Sequence, residues 1–566
     1  MEKFTIKIAS NDEREEIYKL RYNIYAKELC QHSENKEEKL KDALDEINTY
    51  IIVKCDDEIA GFASITPPDG KYGLDNYIAR DKYPFIYDNM YEGRLFTVVK
   101  KYRNSRVSLL LFFAIYKYVK FHGGDKIMTY GRTDLMEFYG KTGLVELDEV
   151  FESGQVKFKL MYGTMEDLQR GEKALGKLFK RSLKGCENLL PFSLEEDAVC
   201  YHGGRFFEKI GNQFDTLQKI DEIINADVLD AWFDPSPNAV AMISKHLPWT
   251  MKTSPPTQCG GLVKSIAKAR GIAAGNILTG GGSSNLMYLA FPRILNENSR
   301  VLLINPTYGE YRFIFENVIG CKIDFFDLSP QNDFIVETKA LSKKLVNKKY
   351  DMLVMVNPNN PAGQYLTKNQ MSELLSAIPD TICVWIDETY IEYVNSAHSM
   401  EQIATQRDNI FICKSMSKAY ALSGLRCAYL VGNKKIIEDL RRFSPPWAVS
   451  LPAQIAAVYA LDDTEYYKTC YTKTHEYKDA FIKELTKQGI FTNIIRGHIN
   501  SVLCELKSDI PAKDFVKHCE DEGLFIRDVS NMGVNDALLN WVRIAIKSEQ
   551  QNAEILEIIS RAISKC

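Results

Sequence analysis

A series of short apolar runs between residues 301 and 413 constrains the fold more than any other feature of the sequence. The runs are flat and rich in β-branched residues, and they occupy positions 301–304, 352–356, 383–386 and 410–413. Runs of this kind are typical of strands buried on both faces of a parallel sheet that helices cover. Polar or Gly- and Pro-rich residues follow each run, and open α/β sheets bind ligands at the carboxyl ends of their strands. The sequence therefore predicts an α/β unit with one ligand site at that edge.

Composition limits the classes of protein and partner. The 566 residues are 45% hydrophobic and 26% charged, values typical of globular chains of several domains. The 71 Lys and Arg nearly balance the 75 Asp and Glu, so neither nucleic acid nor an anionic membrane is predicted as a partner. The 13 cysteines form no CxxC pair and no Cys/His cluster, so no metal is predicted. With no signal peptide and no apolar run of about 20 residues, the sequence predicts a cytoplasmic protein without a membrane span.

The clearest domain boundary lies at residues 164–196. Its middle, 172–181, has the spacing of a short basic amphipathic helix, and Gly185 and Pro191 follow it. The basic face could meet an anionic partner, but a solvated linker is the favoured interpretation. The prediction is a domain at 1–163, a linker at 164–196 and a large unit at 197–566, which is long enough for a large and a small lobe.

Three features of the large unit could each take part in ligand binding or catalysis, or could be ordinary structural elements. The Gly-rich turn 280–284 precedes an apolar helix and could cradle a phosphate at the helix start, or it could be a plain turn. Asp387 follows a strand and could contact a ligand or cap a helix. Lys418 could be a surface lysine. The order and spacing of the whole set indicate chemistry.

Six ordered segments carry a resemblance to a known family. They are the Gly-rich Ser turn, Pro-Thr-Tyr at 306–308, Asn-Asn-Pro-Ala-Gly at 359–363, Asp-Glu-Thr-Tyr at 387–390, Ser-Met-Ser-Lys at 415–418 and Gly-Leu-Arg at 424–426. Residues 201–563 resemble fold-type I pyridoxal 5'-phosphate (PLP) enzymes of aminotransferase class I and II. Within that family they are similar to histidinol-phosphate aminotransferases, threonine-phosphate decarboxylases and capreomycidine-synthase-like enzymes. The resemblance implies a large parallel-sheet lobe, a small C-terminal lobe, PLP, an amino acid substrate and a homodimer.

The resemblance also implies a role for each matching residue. Lys418 would bond to the cofactor aldehyde and move the α-proton, and Asp387 would face the ring nitrogen. Arg543 would clamp the substrate carboxylate with Asn360, and Arg527 is a second candidate for which a structural salt bridge is an equal alternative. The remaining cofactor-binding residues are Tyr390 and Asn360 at the phenolic oxygen, Tyr308 on the ring face, and Gly282, Ser283, Ser284, Ser415 and Arg426 at the phosphate.

Departures from the family pattern concern the substrate. Leu-Asp-Ala-Trp-Phe-Asp-Pro at 229–235 replaces the Asn-Glu-Asn-Pro of histidinol-phosphate enzymes, and Thr-Ser-Pro-Pro-Thr at 253–257 replaces their Tyr-x-Asp-Pro. Tyr-His-Gly-Gly at 201–204 is similar to the decarboxylase branch, whereas Asp-Ala-Trp is similar to capreomycidine-synthase relatives. A role in histidine biosynthesis is therefore not favoured. Transamination is the favoured reaction, and decarboxylation and cyclisation stay open.

The first 160 residues have a different pattern. A helix at 15–25 precedes a strand hairpin that turns at Asp56-Asp57, and a strand at 92–98 leads through 102–108 into an apolar helix. This order resembles the GNAT acyltransferase superfamily. The Arg21-Tyr22-x-x-Tyr25 helix and Glu92-x-Arg94 are similar to the N-acyl amino acid and acyl-homoserine-lactone synthase branch. The resemblance implies an α+β fold and an acyl-CoA or acyl carrier protein thioester as co-substrate.

The candidate residues of this unit follow from the same resemblance. Glu92 is a candidate base, and Tyr139 is a candidate acid for which core packing is the alternative. The usual glycines of the pyrophosphate loop are replaced by Arg106 and Ser108, although Arg103 and Arg106 could attract phosphate. The sequence predicts a bifunctional enzyme that pairs PLP chemistry with N-acyl transfer. The alternative is a PLP decarboxylase or cyclase with a non-catalytic GNAT domain.

Overall fold

The computed structural model describes residues 3–68, 71–80, 89–154, 156–194, 202–211, 214, 216–534 and 538–565. Two sequence predictions fall partly outside the described residues. In the predicted linker these are residues 195 and 196 and the side chains of Lys173, Lys177 and Lys180, and in the 201–204 segment it is residue 201. The chain divides into two compact units, Met1–Ala198 and Val199–Cys566.

The first unit is built on one mixed sheet. Its described strands are β1 (Phe4–Ile8), β2 (Thr49–Cys55), β3 (Glu58–Thr66), β4 (Met90–Val98), β5 (Lys126–Arg132), β6 (Val145–Ser153), β7 (Val156–Thr164) and β8 (Cys186–Asn188), in the order β6-β7-β5-β4-β3-β2-β1-β8. Its described α-helices are α1 (Asn11–Arg21), α2 (Val107–Phe121), α3 (Met136–Lys141) and α4 (Met165–Leu183). Helix α1 begins with a capping box, because the Ser10 side chain accepts from Glu13 N and Glu13 accepts from Ser10 N.

Strands β4 and β5 pair along only part of their length. They run parallel over 90–93 and 126–129, and their ladder has no further pairs although the described strands continue to Val98 and Arg132. Leu95 adopts a left-handed φ of 54°, and the β3–β4 register shifts between Phe62 and Ser64. Beyond the Gly93–Thr129 pair the sheet is therefore open between β4 and β5.

The predicted linker is part of the first unit in the structure. The Phe179 ring of α4 lies 4.1 Å from that of Phe113 on α2, and Lys117 and Glu172 form a buried ion pair at 2.7 Å. Strand β8 then pairs in parallel with β1. The amphipathic helix therefore covers α2 with its apolar face instead of lying in solvent, since burying Phe179 is favourable.

The large lobe of the second unit contains a seven-stranded sheet within the described residues. Its strands are β10 (Ile277–Gly280), β11 (Arg300–Asn305), β12 (Lys322–Asp327), β13 (Met352–Val356), β14 (Cys383–Asp387), β15 (Ile410–Ser415) and β16 (Ala428–Val431), in the order β10-β16-β15-β14-β13-β11-β12. All neighbours are parallel except β16, which runs antiparallel to β10 and β15. Strands β13 and β15 are buried at every residue, and the predicted α/β sheet is confirmed.

The small lobe has its own antiparallel sheet. Its strands are β17 (Phe491–Ile495), β18 (Ser501–Leu506), β21 (Trp541–Ala545) and β20 (Arg527–Asp528), in that order. Strands β9 (Ile224–Asn225) and β19 (Leu524–Phe525) form a separate parallel pair. The described helices of the second unit are α5 (Phe206–Ile210), α6 (Pro237–Lys245), α7 (Leu247–Lys252), α8 (Gly260–Arg270), α9 (Ser283–Ile294), α10 (Gly309–Phe313), α11 (Thr338–Asn347), α12 (Lys368–Ala377), α13 (Ile391–Val394), α14 (Glu401–Ala404), α15 (Met416–Ala419), α16 (Lys434–Arg441), α17 (Leu451–Asp462), α18 (Thr464–Lys487), α19 (Ala512–Asp521) and α20 (Glu549–Ile563). None of the described helices of the chain has the length and apolarity needed to cross a membrane.

Candidate active site

A cavity of about 510 Å³ lies at the carboxyl edge of the large sheet. The ends of β11, β13, β14 and β15 contribute to it, and so do residues of the small lobe. It is lined by the sequence-predicted residues Ser283, Ser284, Tyr308, Asn360, Asp387, Tyr390, Ser415, Lys418, Arg426, Arg527 and Arg543. The structure thus brings together side chains that are separated by up to 260 positions in the sequence.

Lys418 lies in the short helix α15 directly after strand β15. Its Nζ donates hydrogen bonds to Asp230 Oδ1 at 2.7 Å and to Ser423 Oγ at 3.4 Å. Burial lowers the pKa of Lys418, and the Asp230 carboxylate offsets part of that effect. The sequence did not assign a role to Asp230, although the unusual 229–235 segment that contains it was a signal.

Asp387 is the last residue of β14, and other side chains hold its carboxylate in place. Oδ1 accepts from Thr389 N at 2.9 Å and from Thr389 Oγ1 at 2.6 Å, and Oδ2 accepts from the Tyr311 hydroxyl at 2.8 Å. Tyr311 in turn accepts from Trp385 Nε1 at 3.1 Å. Burial raises the pKa of Asp387, so a cationic N–H placed against it would favour its charged form. Sequence reasoning missed Tyr311 and Thr389.

The start of α9 and Arg426 form a cradle suited to an anion. Gly282 has a φ of 96°, and a Cβ there would lie 2.5 Å from an Arg426 terminal nitrogen, so only glycine fits. Arg426 donates to Ser417 Oγ at 3.4 Å and to Ser423 O at 3.2 Å. Helix-start N–H groups, hydroxyls and a guanidinium are the donors that phosphates prefer.

Two arginines of the small-lobe sheet lie at the other end of the cavity. Arg543 donates to Asn360 Oδ1 and to Asp227 O, both at 2.6 Å, whereas its buried Nε has no hydrogen-bond partner among the described residues. Burial lowers the pKa of Arg543 to about 10, so it stays cationic at neutral pH. Arg527 pairs with Arg543 in the ladder, and its NH1 lies 3.7 Å from Asp227 Oδ1, so an ion pair of the kind given as the alternative role for Arg527 is present.

Tyr308 and Tyr390 line the same cavity. The Tyr308 hydroxyl lies 3.1 Å from His202 Nδ1, and His202 also pairs with the buried carboxylate of Glu310. Burial raises the pKa of Tyr390, so its hydroxyl is protonated at neutral pH and can donate a hydrogen bond.

In the first unit, Glu92 is fully buried. Its carboxylate accepts from Gly73 N at 2.6 Å and from Leu74 N at 2.9 Å, and burial raises its pKa to about 7. Arg94 beside it donates to Asp42 at 3.0 Å. Glu92 therefore holds the turn at Gly73 in place. A general base must reach the proton that it removes, so this buried position does not favour the predicted role of Glu92 as a base.

Tyr139 lies at the opening between β4 and β5. Its ring is 6.4 Å from that of Phe96 on β4 and rests against Gly131 on β5. Burial raises the pKa of Tyr139 to about 12, so its hydroxyl keeps its proton at neutral pH. This placement suits the predicted acid and is equally compatible with core packing.

The two arginines predicted to bind the acyl donor already have partners. Arg103 pairs with Glu28 at 2.7 Å. Arg106 NH1 donates to Ser182 O at 3.2 Å and to Lys184 O at 2.8 Å, at the end of α4. A phosphate in this loop would have to compete with these contacts.

The fold and the cavity of the second unit define a PLP-dependent transferase, and comparison with known families gives the same class. Residues 231–559 match the model of the family "Aminotransferase class I and II", and the chain belongs to that family. Residues 20–113 match the "Acetyltransferase (GNAT) domain". The predicted combination of a PLP-dependent aminotransferase-family enzyme with an N-terminal GNAT domain is confirmed.

Individual relatives are distant. The chain is 26% identical over 298 residues to histidinol-phosphate aminotransferase 2 of Carboxydothermus hydrogenoformans, covering 52% of this chain and 79% of the relative. The histidinol-phosphate aminotransferase of Sinorhizobium meliloti in complex with pyridoxal-5'-phosphate has the same fold, with a TM-score of 0.58, 18% identity and coverage of 66% and 98%. The L-threonine-O-3-phosphate decarboxylase of Porphyromonas gingivalis also shares it, with a TM-score of 0.51, 23% identity and coverage of 61% and 99%.

Proposed function

We propose that the chain is a bifunctional biosynthetic enzyme. Its second unit transforms an amino acid with PLP, with transamination as the favoured reaction, and its first unit transfers an acyl group to an amine. The observation that carries the PLP reaction is the convergence of Lys418, Asp387, Arg426 and Arg543 on one cavity. An amine made or bound by one unit is a natural acceptor for the other, which gives the fusion of the two units a chemical reason.

The described residues fit PLP. The phosphate cradle at Gly282 and Arg426 suits an anion, and Asp387 is a buried carboxylate suited to a cationic ring nitrogen. When bound, PLP supplies an electron sink for the bonds at the substrate Cα. In this proposal Lys418 Nζ holds and moves a proton at Cα, and Arg543 with Asn360 orients the substrate carboxylate.

The remaining residues position the two molecules. If PLP is bound, Tyr308 would cover one face of the ring, and Tyr390 and Asn360 would donate to its phenolic oxygen. Ser283, Ser284 and Ser415, which line the same cavity, would complete the phosphate site. Arg527 lies beside Arg543 and could bind a second anionic group of the substrate, or serve only as the partner of Asp227.

Incubation of the purified protein with each amino acid tests the PLP reaction. The absorption spectrum of the cofactor and the masses of the products would be followed together. Transamination yields an oxo acid and leaves the amino form of the cofactor. Decarboxylation yields an amine that has lost carbon dioxide, and cyclisation yields a product that contains a new ring. The last two outcomes would favour the alternative function, a PLP decarboxylase or cyclase with a non-catalytic GNAT domain.

The acyl donor is expected to be a long-chain acyl-CoA or an acyl carrier protein thioester. Arg106 and Ser108 replace the glycines that would let a CoA pyrophosphate approach the backbone, and Arg106 is engaged by Ser182 and Lys184 carbonyls. A carrier-protein phosphopantetheine has one phosphate and needs less of that cradle. The full-length Lys418→Ala variant, in which PLP chemistry is silenced, should be assayed with acetyl-CoA and both other donors.

Tyr139→Phe tests whether Tyr139 is the acid in acyl transfer, because the change removes only the hydroxyl. Loss of a positioned acid should lower turnover by about 10²–10⁴-fold, whereas a packing role predicts little change. Fast turnover with acetyl-CoA alone would contradict the donor proposal. Binding of all donors without turnover would support a docking role for the first unit.

A homodimer is expected to form through the second unit. Several large apolar side chains of this unit are exposed, among them Trp249 (50%), Met251 (76%) and Trp447 (54%). A second copy of the chain would cover them, and the 253–257 segment that follows α7 would serve the neighbouring site. Sedimentation should show a dimer for the native chain and a shift to monomer for Trp249→Glu/Met251→Glu.

Phe121→Glu is the control for the dimer test, since Phe121 of the first unit is equally exposed at 56%. It should leave the sedimentation unchanged. A native monomer at micromolar concentration that retains full PLP activity would contradict the homodimer.

A further inference from the structure

Asp230 is the counter-ion of the PLP lysine in this structure. Its Oδ1 accepts from Lys418 Nζ at 2.7 Å, and the side chains of Lys418 and Asp230 are 19% and 35% exposed. Ser423 Oγ lies 3.4 Å from the same ammonium. A short, partly buried pair of this kind is a strong, charge-assisted hydrogen bond.

The backbone around Asp230 is held from the small lobe. Lys547, two residues after β21, donates from Nζ to Asp230 O at 3.3 Å. Three residues before Asp230, the Asp227 carbonyl accepts from Arg543. The segment 227–230 is therefore fastened to the lobe that carries the substrate arginine, while the Asp230 side chain reaches the lysine of the large lobe.

The charges around Lys418 are mostly positive. Burial lowers the pKa of Lys418, the cations Arg543 and Arg426 lower it further, and the Asp230 carboxylate raises it. Burial raises the pKa of Asp230, but Lys418, together with Ser423 and Lys547, lowers it, so the pKa of Asp230 lies below its usual value. Burial lowers the pKa of Lys547 to about 8. The groups that face this pair are Lys547, Arg426, Arg543, Ser423, Tyr390 and Tyr393.

We propose that Asp230 is a positioning residue that holds a proton on Lys418 Nζ. The Asp230 carboxylate stabilises the protonated form of this nitrogen, both when Nζ is bonded to the cofactor and when the free amine has taken the proton from Cα. The carboxylate also sets the pH at which Nζ loses this proton. The inference rests on the proposed function only in that Lys418 is the lysine that bonds to PLP.

The visible absorption of the PLP-loaded full-length protein, titrated with pH, tests this role. The absorption depends on whether Lys418 Nζ carries a proton, and an opposite charge at this distance shifts a pKa by about 1–3 units. Asp230→Asn should therefore move the spectral midpoint about 1–3 pH units lower. Asp230→Glu keeps the charge, so its spectral midpoint should lie close to that of the native protein. Asp234→Asn removes an exposed carboxylate four residues away and should leave the midpoint unchanged.

Lys547→Met gives a second test with the opposite sign. It removes a cation that faces both Asp230 and Lys418, so the midpoint should rise. If Asp230→Asn fails to fold, an upward shift in Lys547→Met supports the proposal, and an unchanged midpoint overturns it. An unchanged midpoint in a folded, PLP-loaded Asp230→Asn variant also overturns it. Failure of the PLP assignment is distinguishable, because borohydride would then fix the cofactor to a lysine other than Lys418.

Discussion

Lys418→Ala is expected to abolish the covalent retention of PLP and to lower turnover by about 10⁴-fold or more, the upper end of what a positioned acid–base group contributes. In the proposed mechanism, the change removes both the amine that would bond to the cofactor and the group that would carry the proton at Cα. The native protein should be yellow and should lose this colour with borohydride, and mass spectrometry should locate the reduced cofactor on Lys418.

Lys547→Met is the control for this result. Lys547 is the other buried lysine that faces Asp230, and its lowered pKa makes it the nearest rival for the cofactor aldehyde. The control should keep the yellow colour and the reducible bond. A reducible bond in the Lys418→Ala variant would show that another lysine holds PLP.

Asp387→Ala is expected to lose more kcat than Arg543→Lys. In the proposed site, removal of the carboxylate would leave the ring nitrogen without an anionic partner, and it leaves the Tyr311 and Thr389 donors without their acceptor. One charged hydrogen bond contributes about 1.5–3 kcal/mol, or roughly 10- to 150-fold in rate, before the effect on the electron sink is added. Arg543→Lys keeps a charge but loses the fork that binds a carboxylate, so the loss should fall mainly on KM.

Asp387→Asn separates charge from hydrogen bonding in this comparison. It keeps a side chain of the same size for Thr389 and Tyr311 but carries no charge, so its kcat should stay close to that of Asp387→Ala. A kcat ranking in which Arg543→Lys is the more damaged variant would contradict the assignment of Asp387 to the ring and of Arg543 to simple carboxylate binding.

Local patterns in the sequence were sufficient for the fold class and for most of the cavity. Buried strands such as β13 and β15 are recognisable because a parallel sheet covered on both faces demands continuous apolar runs. Lys418 and Arg426 lie at strand ends with fixed offsets from their neighbours, so short motifs locate them. In the first unit the same reasoning identified the strand that carries Glu92 and the turn that carries Arg106.

Only the tertiary structure decided which of these side chains contact one another and which are already held by hydrogen bonds or ion pairs. Asp230 and Lys418 are 188 positions apart, and Tyr311 and Asp387 are 76 apart, so no periodicity links them. Burial of Glu92 under the Gly73 turn and the engagement of Arg106 by the end of α4 likewise depend on contacts between distant segments. The sequence by itself determined the residue types and the strand ends, because those follow from local backbone preferences and side-chain periodicity. Protonation and availability of each group depended on the packing of segments far apart in the chain, since desolvation and counter-ions arise only when those segments come together.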